Sequence, residues 1–144
     1  MIEGIPLPSR GDGIESGFWR ALDAGILAHQ RCTICRHWHF PPRARCHCGG
    51  SLDYEPVSGR ATLWSYTVAH PPLLPAFAQL APYPVIVAEL DEQPGLRMVG
   101  TVARAVDDPI NAVSPADLRI GMPLRAAIVA LSPDIRWPRW LIET

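Results

Sequence analysis

The sequence predicts a mainly β protein in which a short N-terminal helix and a four-cysteine metal module precede a five-stranded barrel. Three observations lead to this fold class. Apolar residues at helical spacing occur near the N-terminus, all four cysteines fall within residues 32–48, and segments rich in β-forming residues follow from residue 61 onward. With 144 residues, of which 48% are hydrophobic and 19% charged, the chain can bury a core, and its composition is neither that of a disordered chain nor that of a membrane-embedded one.

The helix is predicted over residues 14–24, after a Pro- and Gly-rich arm at residues 1–11. The apolar residues of its stripe recur at helical spacing and are Ile14, Phe18, Leu22 and Ile26. Trp19 lies beside this stripe, and both core burial and contact with a partner remain open for it.

Both ends of the helix carry recognisable signals. Asp12 followed three residues later by Glu15 resembles a capping box, which predicts the N-terminus. Gly25 fits the position just after the helix, where a left-handed backbone conformation is common.

The cysteines predict a zinc site. They form a Cys-x2-Cys pair and, ten residues later, a Cys-x-Cys pair, and they are Cys32, Cys35, Cys46 and Cys48. The first residues lack a basic segment followed by an apolar one, so we expect no signal peptide, a cytoplasmic location, and a metal rather than disulfides. Four thiolates suit tetrahedral zinc and fill its coordination shell, which favours a structural role.

Other interpretations of the same stretch stay open. Four of the five histidines lie in or beside it, and they are His29, His37, His39 and His47. A mixed Cys/His site is one alternative, with His47 as the nearest substitute ligand. The others are a metal-free cluster of buried thiols and, less favoured because no βαβ pattern surrounds it, a redox Cys-x2-Cys.

The same stretch is basic. Residues 29–48 contain four arginines and no acidic residue, although the whole chain has a net charge of −1. The arginines either bind an anionic ligand or partner, or offset the negative charge of a tetrathiolate zinc site.

A barrel is predicted from five later segments. Residues 26–31 form a short strand leading into the first cysteine pair, and the barrel strands are residues 61–68, 84–90, 96–103, 123–131 and 136–142. Pro138 indicates that the last is an edge strand. Five strands with no long helix are typical of an OB-fold. The expected divisions are residues 1–25 for the arm and helix, 26–51 for the zinc module and 52–144 for the OB-fold.

The chain resembles the domain-of-unknown-function 35 family, which joins a rubredoxin-like zinc ribbon to an OB-fold. The matching segments are Phe18-Trp19, Gly25-Ile26-Leu27, Cys32-x-x-Cys35, Phe40-Pro41-Pro42-Arg43, Cys46-His47-Cys48-Gly49, Val57-Ser58-Gly59-Arg60-Ala61, Ser65-Tyr66-Thr67-Val68, Pro82-Tyr83-Pro84-Val85 and Ile120-Gly121-Met122-Pro123. The departure is the second cysteine pair, which the family usually spaces as Cys-x-x-Cys.

The resemblance implies a function. Members of that family resemble accessory subunits of acyl-CoA enzymes, with partners similar to thiolases, aldolases and MaoC-like hydratases. The chain would then be a scaffold, or would help to shape an acyl-CoA site, with catalysis on the other subunit. Its predicted docking surface is the N-terminal helix, with Phe18 and Trp19, together with the zinc module. Acyl-CoA is expected as a ligand of the complex, and the candidate phosphate contacts, on charge alone, are Arg43, Arg45 and Arg60.

We predict no catalytic residues in this chain. The available protic side chains are Ser65, Tyr66, His70 and Tyr83, and Ser65 and His70 are expected on opposite faces of a strand. A nucleic-acid-binding OB-fold is the alternative function, and a self-sufficient acyl-CoA-binding protein or enzyme is a third. Residues 61–144 carry six arginines against eight acidic residues, which opposes nucleic-acid binding.

Overall fold

The computed structural model describes residues 2–144, so Met1 of the predicted arm lies outside it. The elements in chain order are α1 (Ser16–Asp23), β1 (Ala28–Cys32), β2 (Trp38–His39), β3 (Leu52–Pro56), β4 (Arg60–Ala69), α2 (Pro75–Ala78), β5 (Tyr83–Leu90), β6 (Arg97–Gly100), β7 (Val102–Ala103), a 3-10 turn (Pro115–Asp117), β8 (Pro123–Ser132) and β9 (Ile135–Ile142). Strands β2-β1-β3 form a three-stranded sheet, and β6-β5-β4-β8-β9-β7 form a six-stranded sheet. Within this part of the chain, no helix is both long enough and apolar enough to cross a membrane.

Helix α1 ends as predicted but begins later. Gly25 has φ +76°, its N–H donates to Leu22 O at 2.9 Å, and the N–H of Ile26 donates to Ala21 O at 2.9 Å, which is a Schellman motif. The capping-box prediction is wrong, because the helix begins at Ser16 and Asp12 is too far away to cap it.

The three-stranded sheet and its connecting loops contain the cysteines. Strand β1 pairs antiparallel with β2 on one side and with β3 on the other. The side-chain amide of Gln30 donates to Arg43 O at 2.9 Å and accepts from Arg43 N–H at 2.8 Å, which fixes the loop between the two cysteine pairs. Neither β2 nor β3 was predicted, because β2 has two residues and the β3 segment Leu-Asp-Tyr-Glu-Pro is weak in β-formers.

The six-stranded sheet confirms the predicted mainly β, OB-type class. Strand β4 lies between β5 and β8, and β7 pairs in parallel with β9. The hydrogen-bonded strand order is open, and its two end strands, β6 and β7, are separated in the chain only by Thr101. This bent segment was predicted as one strand. Gly100 lets the Trp140 ring pack closely against the chain at this bend, since a Cβ there would lie 2.9 Å from the ring.

Pro138 does not mark an edge strand. Strand β9 lies between β8 and β7 in the sheet, which corrects the prediction. Strand β7 reaches only Trp140 and Leu141, whereas Pro138 is paired with Ile128 of β8 alone. A proline is tolerated there because no second neighbour requires its N–H.

Helix α1 connects the two sheets through its aromatic residues. Phe18 and Trp19 are only 5% and 7% exposed, and their ring centroids lie 6.3 and 5.8 Å from that of Trp137 on β9. The expectation that these two side chains form a docking surface is therefore wrong, since both belong to the core. The fully buried Leu22 and Trp140 belong to the same core.

Gly17→Ala is expected to destabilise the protein, against the usual trend for helices. A Cβ at Gly17 would lie 2.6 Å from Cε2 of Tyr54, whose hydroxyl is held by Ile14 O. Alanine normally stabilises a helix interior by about 1 kcal/mol over glycine, but overpacking costs about 1–3 kcal/mol. Urea unfolding should show a net loss of stability. In a Tyr54→Ala background the same substitution should be neutral or stabilising, and a gain in the wild-type background would contradict the packing.

Acid should weaken the fold through His29. Its side chain is 1% exposed, packs against Phe18 and Phe40, and places Nε2 3.1 Å from Met98 Sδ. Burial lowers its pKa from 6.5 to about 4, against a small opposing effect of Glu92. Between pH 6.5 and 4, therefore, the His29 imidazole is protonated in the unfolded chain but stays neutral in the folded chain. The fold therefore has its full stability with respect to His29 above pH 6.5. As the pH falls toward 4, the free energy of unfolding decreases by about 3 kcal/mol at most.

The matched variant is His29→Leu, which has no proton to bind at this position. Other acid-sensitive groups act in both proteins and cancel in the difference of their unfolding free energies between pH 7 and 4.5. We expect the wild type to lose more stability than the variant over this range, and parallel pH profiles would show that His29 is not buried in its neutral form.

Candidate metal centre

The four cysteines predicted as ligands converge on one point. The Sγ atoms of Cys32 and Cys48 lie 3.5 Å apart, as do those of Cys35 and Cys46, and all four sulfurs lie within 4.8 Å of one another. All four are free thiols. A tetrahedron with zinc–sulfur bonds of 2.3 Å has an edge of about 3.8 Å. The donor type, number and spacing therefore fit a tetrahedral zinc ion.

Backbone geometry turns the sulfurs inward. In the first pair, the N–H groups of Ile34 and Cys35 each lie 3.4 Å from Cys32 Sγ. In the second pair, Gly49 has φ +85°, and a Cβ at Gly50 would lie 2.6 Å from Cys32 Sγ. The two glycines therefore let a Cys-x-Cys pair, one residue shorter than the family's usual spacing, bring both sulfurs to the cluster.

The thiols strongly influence one another. Burial, together with the side chains of Cys35, Cys48 and Cys32, raises the pKa of the Cys46 thiol to about 12, although the backbone N–H of Cys48 acts to lower it. Burial also acts to raise the pKa of Cys32, but the N–H groups of Ile34 and Cys35 and the neighbouring thiols lower it to about 6. One thiol thus ionises readily while its neighbour resists a second negative charge. A bound cation would allow all four to ionise.

Histidines surround the cluster, although not in the way that the sequence suggested. His39 is the nearest, with Nε2 3.1 Å from Cys46 Sγ, and His47 Nδ1 lies 3.5 Å from the same sulfur. His29 lies in the core instead. The sequence analysis singled out His47 and missed the proximity of His39. The sequence carried no local signal for it, because β2 comprises only Trp38 and His39 and the approach of His39 follows from the pairing of β2 with β1.

The arginines predicted to contact a phosphate lie on two elements. Arg43 and Arg45 are exposed on the loop that carries the second cysteine pair, and Arg45 Nη1 donates to Gly49 O at 3.4 Å. Arg60 begins β4 and lies 3.9 Å from Asp91.

The basic character of the ribbon is partly offset from β3. Glu55 accepts from Arg36 at 3.0 Å and lies 3.9 Å from Arg31. Sequence counting over residues 29–48 missed this carboxylate because β3 lies just beyond that range.

We expect the purified protein to carry about one zinc ion per chain. Removal of zinc with a chelator should increase amide hydrogen exchange across residues 26–51, because assembly of the metal site and local folding share their free energy. Strands β8 and β9 of the same sample serve as the internal control and should keep their protection. A zinc content below half an equivalent per chain, or amide hydrogen exchange that does not change after chelation, would contradict a zinc site at the four cysteines.

Comparisons with known proteins cover both parts of the chain. The family model described as the ChsH2 rubredoxin-like zinc ribbon domain matches residues 19–55, and that of the ChsH2 C-terminal OB-fold domain matches residues 54–129. The two matches together include all four cysteines and most of the six-stranded sheet.

Two curated relatives are longer proteins. A probable enoyl-CoA hydratase alpha subunit of Thermomonospora curvata is 34% identical over 128 residues, which cover 86% of this chain and 36% of that protein. A 3-oxo-4,17-pregnadiene-20-carboxyl-CoA hydratase alpha subunit of Mycobacterium tuberculosis is 32% identical over 124 residues, covering 85% of this chain and 36% of that protein. The chain thus spans about a third of the length of these relatives.

Two solved structures share the fold. A chain of a structure described as an Ltp2-ChsH2(DUF35) aldolase superposes with a TM-score of 0.78 and 28% identity, covering 94% of this chain and 98% of that chain. A DUF35-family protein of unknown function from Sulfolobus solfataricus superposes with a TM-score of 0.59 and 15% identity, covering 94% and 89%, and supports the fold alone. With both of its domains matched in order, the chain belongs to the DUF35/ChsH2 family, in which a rubredoxin-like zinc ribbon precedes an OB-fold.

Proposed function

We propose that this chain is a non-catalytic accessory subunit of an acyl-CoA-processing enzyme complex. The observation that carries the proposal is the likeness to the ChsH2-type chain of the aldolase structure, which extends over 98% of that chain. The names of the two curated relatives, both alpha subunits of acyl-CoA hydratases, support the same class of complex. The partner would be a thiolase-like, aldolase-like or hydratase-like subunit that carries the catalytic residues.

The proposed role of zinc is structural. In this proposal the ligands are Cys32, Cys35, Cys46 and Cys48, with residues 26–51 as the zinc ribbon between the arm and helix (1–25) and the OB-fold (52–144). Four sulfurs leave no open coordination position for substrate, and this supports a metal that shapes the ribbon instead of one that takes part in chemistry.

An apolar groove is the surface that we propose for docking the partner, in place of the buried aromatic residues of α1. It is a cavity of about 1330 Å³ lined by the N-terminal arm, α2, the loop at residues 106–110 and the β8–β9 hairpin. Val106, on its rim, is 44% exposed. Exposed apolar surface of this extent commonly marks an interface in a soluble protein.

The groove also contains a buried cation. Arg139 is 6% exposed, and its Nη1 donates to Val106 O at 2.8 Å and to Asp108 O at 2.7 Å. Its Nε and Nη2 have no hydrogen-bond partner among residues 2–144. Because unpaired buried donors are costly, docking would stabilise the complex if it rearranged the groove and brought an acceptor to these nitrogens.

Acyl-CoA is proposed as a ligand of the complex. Arg43 and Arg45 are exposed on the ribbon loop and could meet its phosphates, with Arg60 as a third contact. Asp91, 3.9 Å from Arg60, competes for that guanidinium and makes it the weakest of the three candidates.

The docking proposal is tested by co-expressing the chain with thiolase-like, aldolase-like and hydratase-like acyl-CoA enzyme subunits of the same organism and measuring the affinity of any purified pair. Val106→Glu places a charge in the groove and should weaken binding by about 2 kcal/mol or more, which is on the order of 30-fold. Ile120→Glu is the matched control, because Ile120 is 63% exposed and lies outside the groove.

The two parts of the proposal fail in different ways. If the wild-type chain binds no such subunit, or turns over acyl-CoA alone, the accessory role is wrong. If the wild-type complex forms and Val106→Glu and Ile120→Glu bind equally well, only the groove is wrong.

A further inference from the structure

Three histidines meet beside the cysteine cluster. One ring nitrogen from each of His37, His39 and His47 lies within 4.8 Å of one from each of the others. Their ring centroids are 4.9 to 5.9 Å apart. None of the three is among the four predicted sulfur ligands, and the accessory role proposed above makes no use of them.

The fold brings these rings together from two loops. His37 directly precedes the short strand β2 and His39 ends it, while His47 lies between the two cysteines of the second pair. In this structure the closed cysteine cluster places His47 beside the other two rings. The arrangement is a consequence of the ribbon and does not depend on a flexible segment.

The rings line an open cavity of about 240 Å³. Its lining also includes Arg43 and Gln93, and no carboxylate among residues 2–144 lines it. Three imidazoles with open positions left for water or a further ligand form the donor set of many zinc sites, and such nitrogen donors favour zinc, copper or nickel over magnesium or calcium.

Charge beside the cavity favours a cation once the cysteines hold zinc. Zinc with four thiolates carries a net charge of about −2. The sulfur of Cys46 belongs to this group and lies 3.1 Å from His39 Nε2. Arg43, which lines the cavity, and the other arginines of the ribbon oppose a cation, so the attraction rests on the closeness of the Cys46 sulfur to His39.

Existing contacts leave nitrogens free for a metal. An imidazole has two ring nitrogens, so His39 and His47 can each direct one toward Cys46 and offer the other to an ion. The Nε2 of His37 lies 3.2 Å from the side-chain nitrogen of Gln93, and this contact must yield if that nitrogen is the ligand.

We propose that His37, His39 and His47 form a second divalent-metal site, distinct from the four-cysteine site and suited to zinc or a metal of similar preference. The proposal rests on the cysteine cluster holding its own zinc, and the test separates the two sites by their histidine dependence.

The test is equilibrium dialysis of the reduced, full-length protein against buffered free zinc, with zinc per chain as the measured quantity. The wild type should bind two equivalents, the second more weakly. His37→Gln and His47→Gln should each weaken the second equivalent by about tenfold or more while keeping the first. His70→Gln is the matched control, because His70 is the exposed fifth histidine and lies outside the cluster.

Three outcomes would overturn the second site. The wild type could bind a single equivalent, or the second equivalent could persist unchanged in His37→Gln and His47→Gln. The third outcome is loss of the first equivalent in His47→Gln, which would make His47 a ligand of the cysteine site. If the wild type binds no zinc at all, the cysteine site fails together with this one.

Discussion

The convergence of four sulfurs is the constraint on which the rest of the ribbon depends. Cys32 is the last residue of β1, and the second pair lies on a loop that rejoins the sheet only at β3. The buried residues of this region include polar ones, His29, Gln30 and His39, so apolar burial alone offers little to hold the two loops together. A metal ion bound by both loops would supply the missing free energy, as it does in other small zinc modules.

The ribbon and the OB-type sheet are packed as one unit through the turn between β5 and β6. The Gln93 side chain accepts from Trp38 N–H at 2.9 Å and donates to Trp38 O at 3.1 Å, extending the edge of β2. Glu92 accepts from Ser58 N–H at 2.6 Å just beyond β3. From the other side, α1 places Phe18 and Trp19 against Trp137. The ribbon is therefore held against the sheet on two sides.

Local chemistry made part of this structure predictable from the sequence. The cysteine spacing and Gly25 each report a backbone requirement that acts within a few residues, and the long strands β4, β5 and β8 carry enough β-formers to be recognised. What escaped prediction depends on partners far away in the chain. Trp19 is buried because β9 covers it, β2 exists only because β1 pairs with it, and the segment at residues 97–103 divides because Trp140 lies against Gly100.

The site was predictable to the same extent. The four sulfurs could be named from their spacing, whereas the approach of His39 to Cys46 and the pairing of Arg36 with Glu55 follow from the sheet register.

The most direct test of the four-sulfur centre is zinc X-ray absorption on protein loaded with one equivalent of zinc. A first shell of four sulfurs at about 2.3 Å is the predicted result. A shell in which an imidazole nitrogen at about 2.0–2.1 Å replaces one sulfur would contradict it.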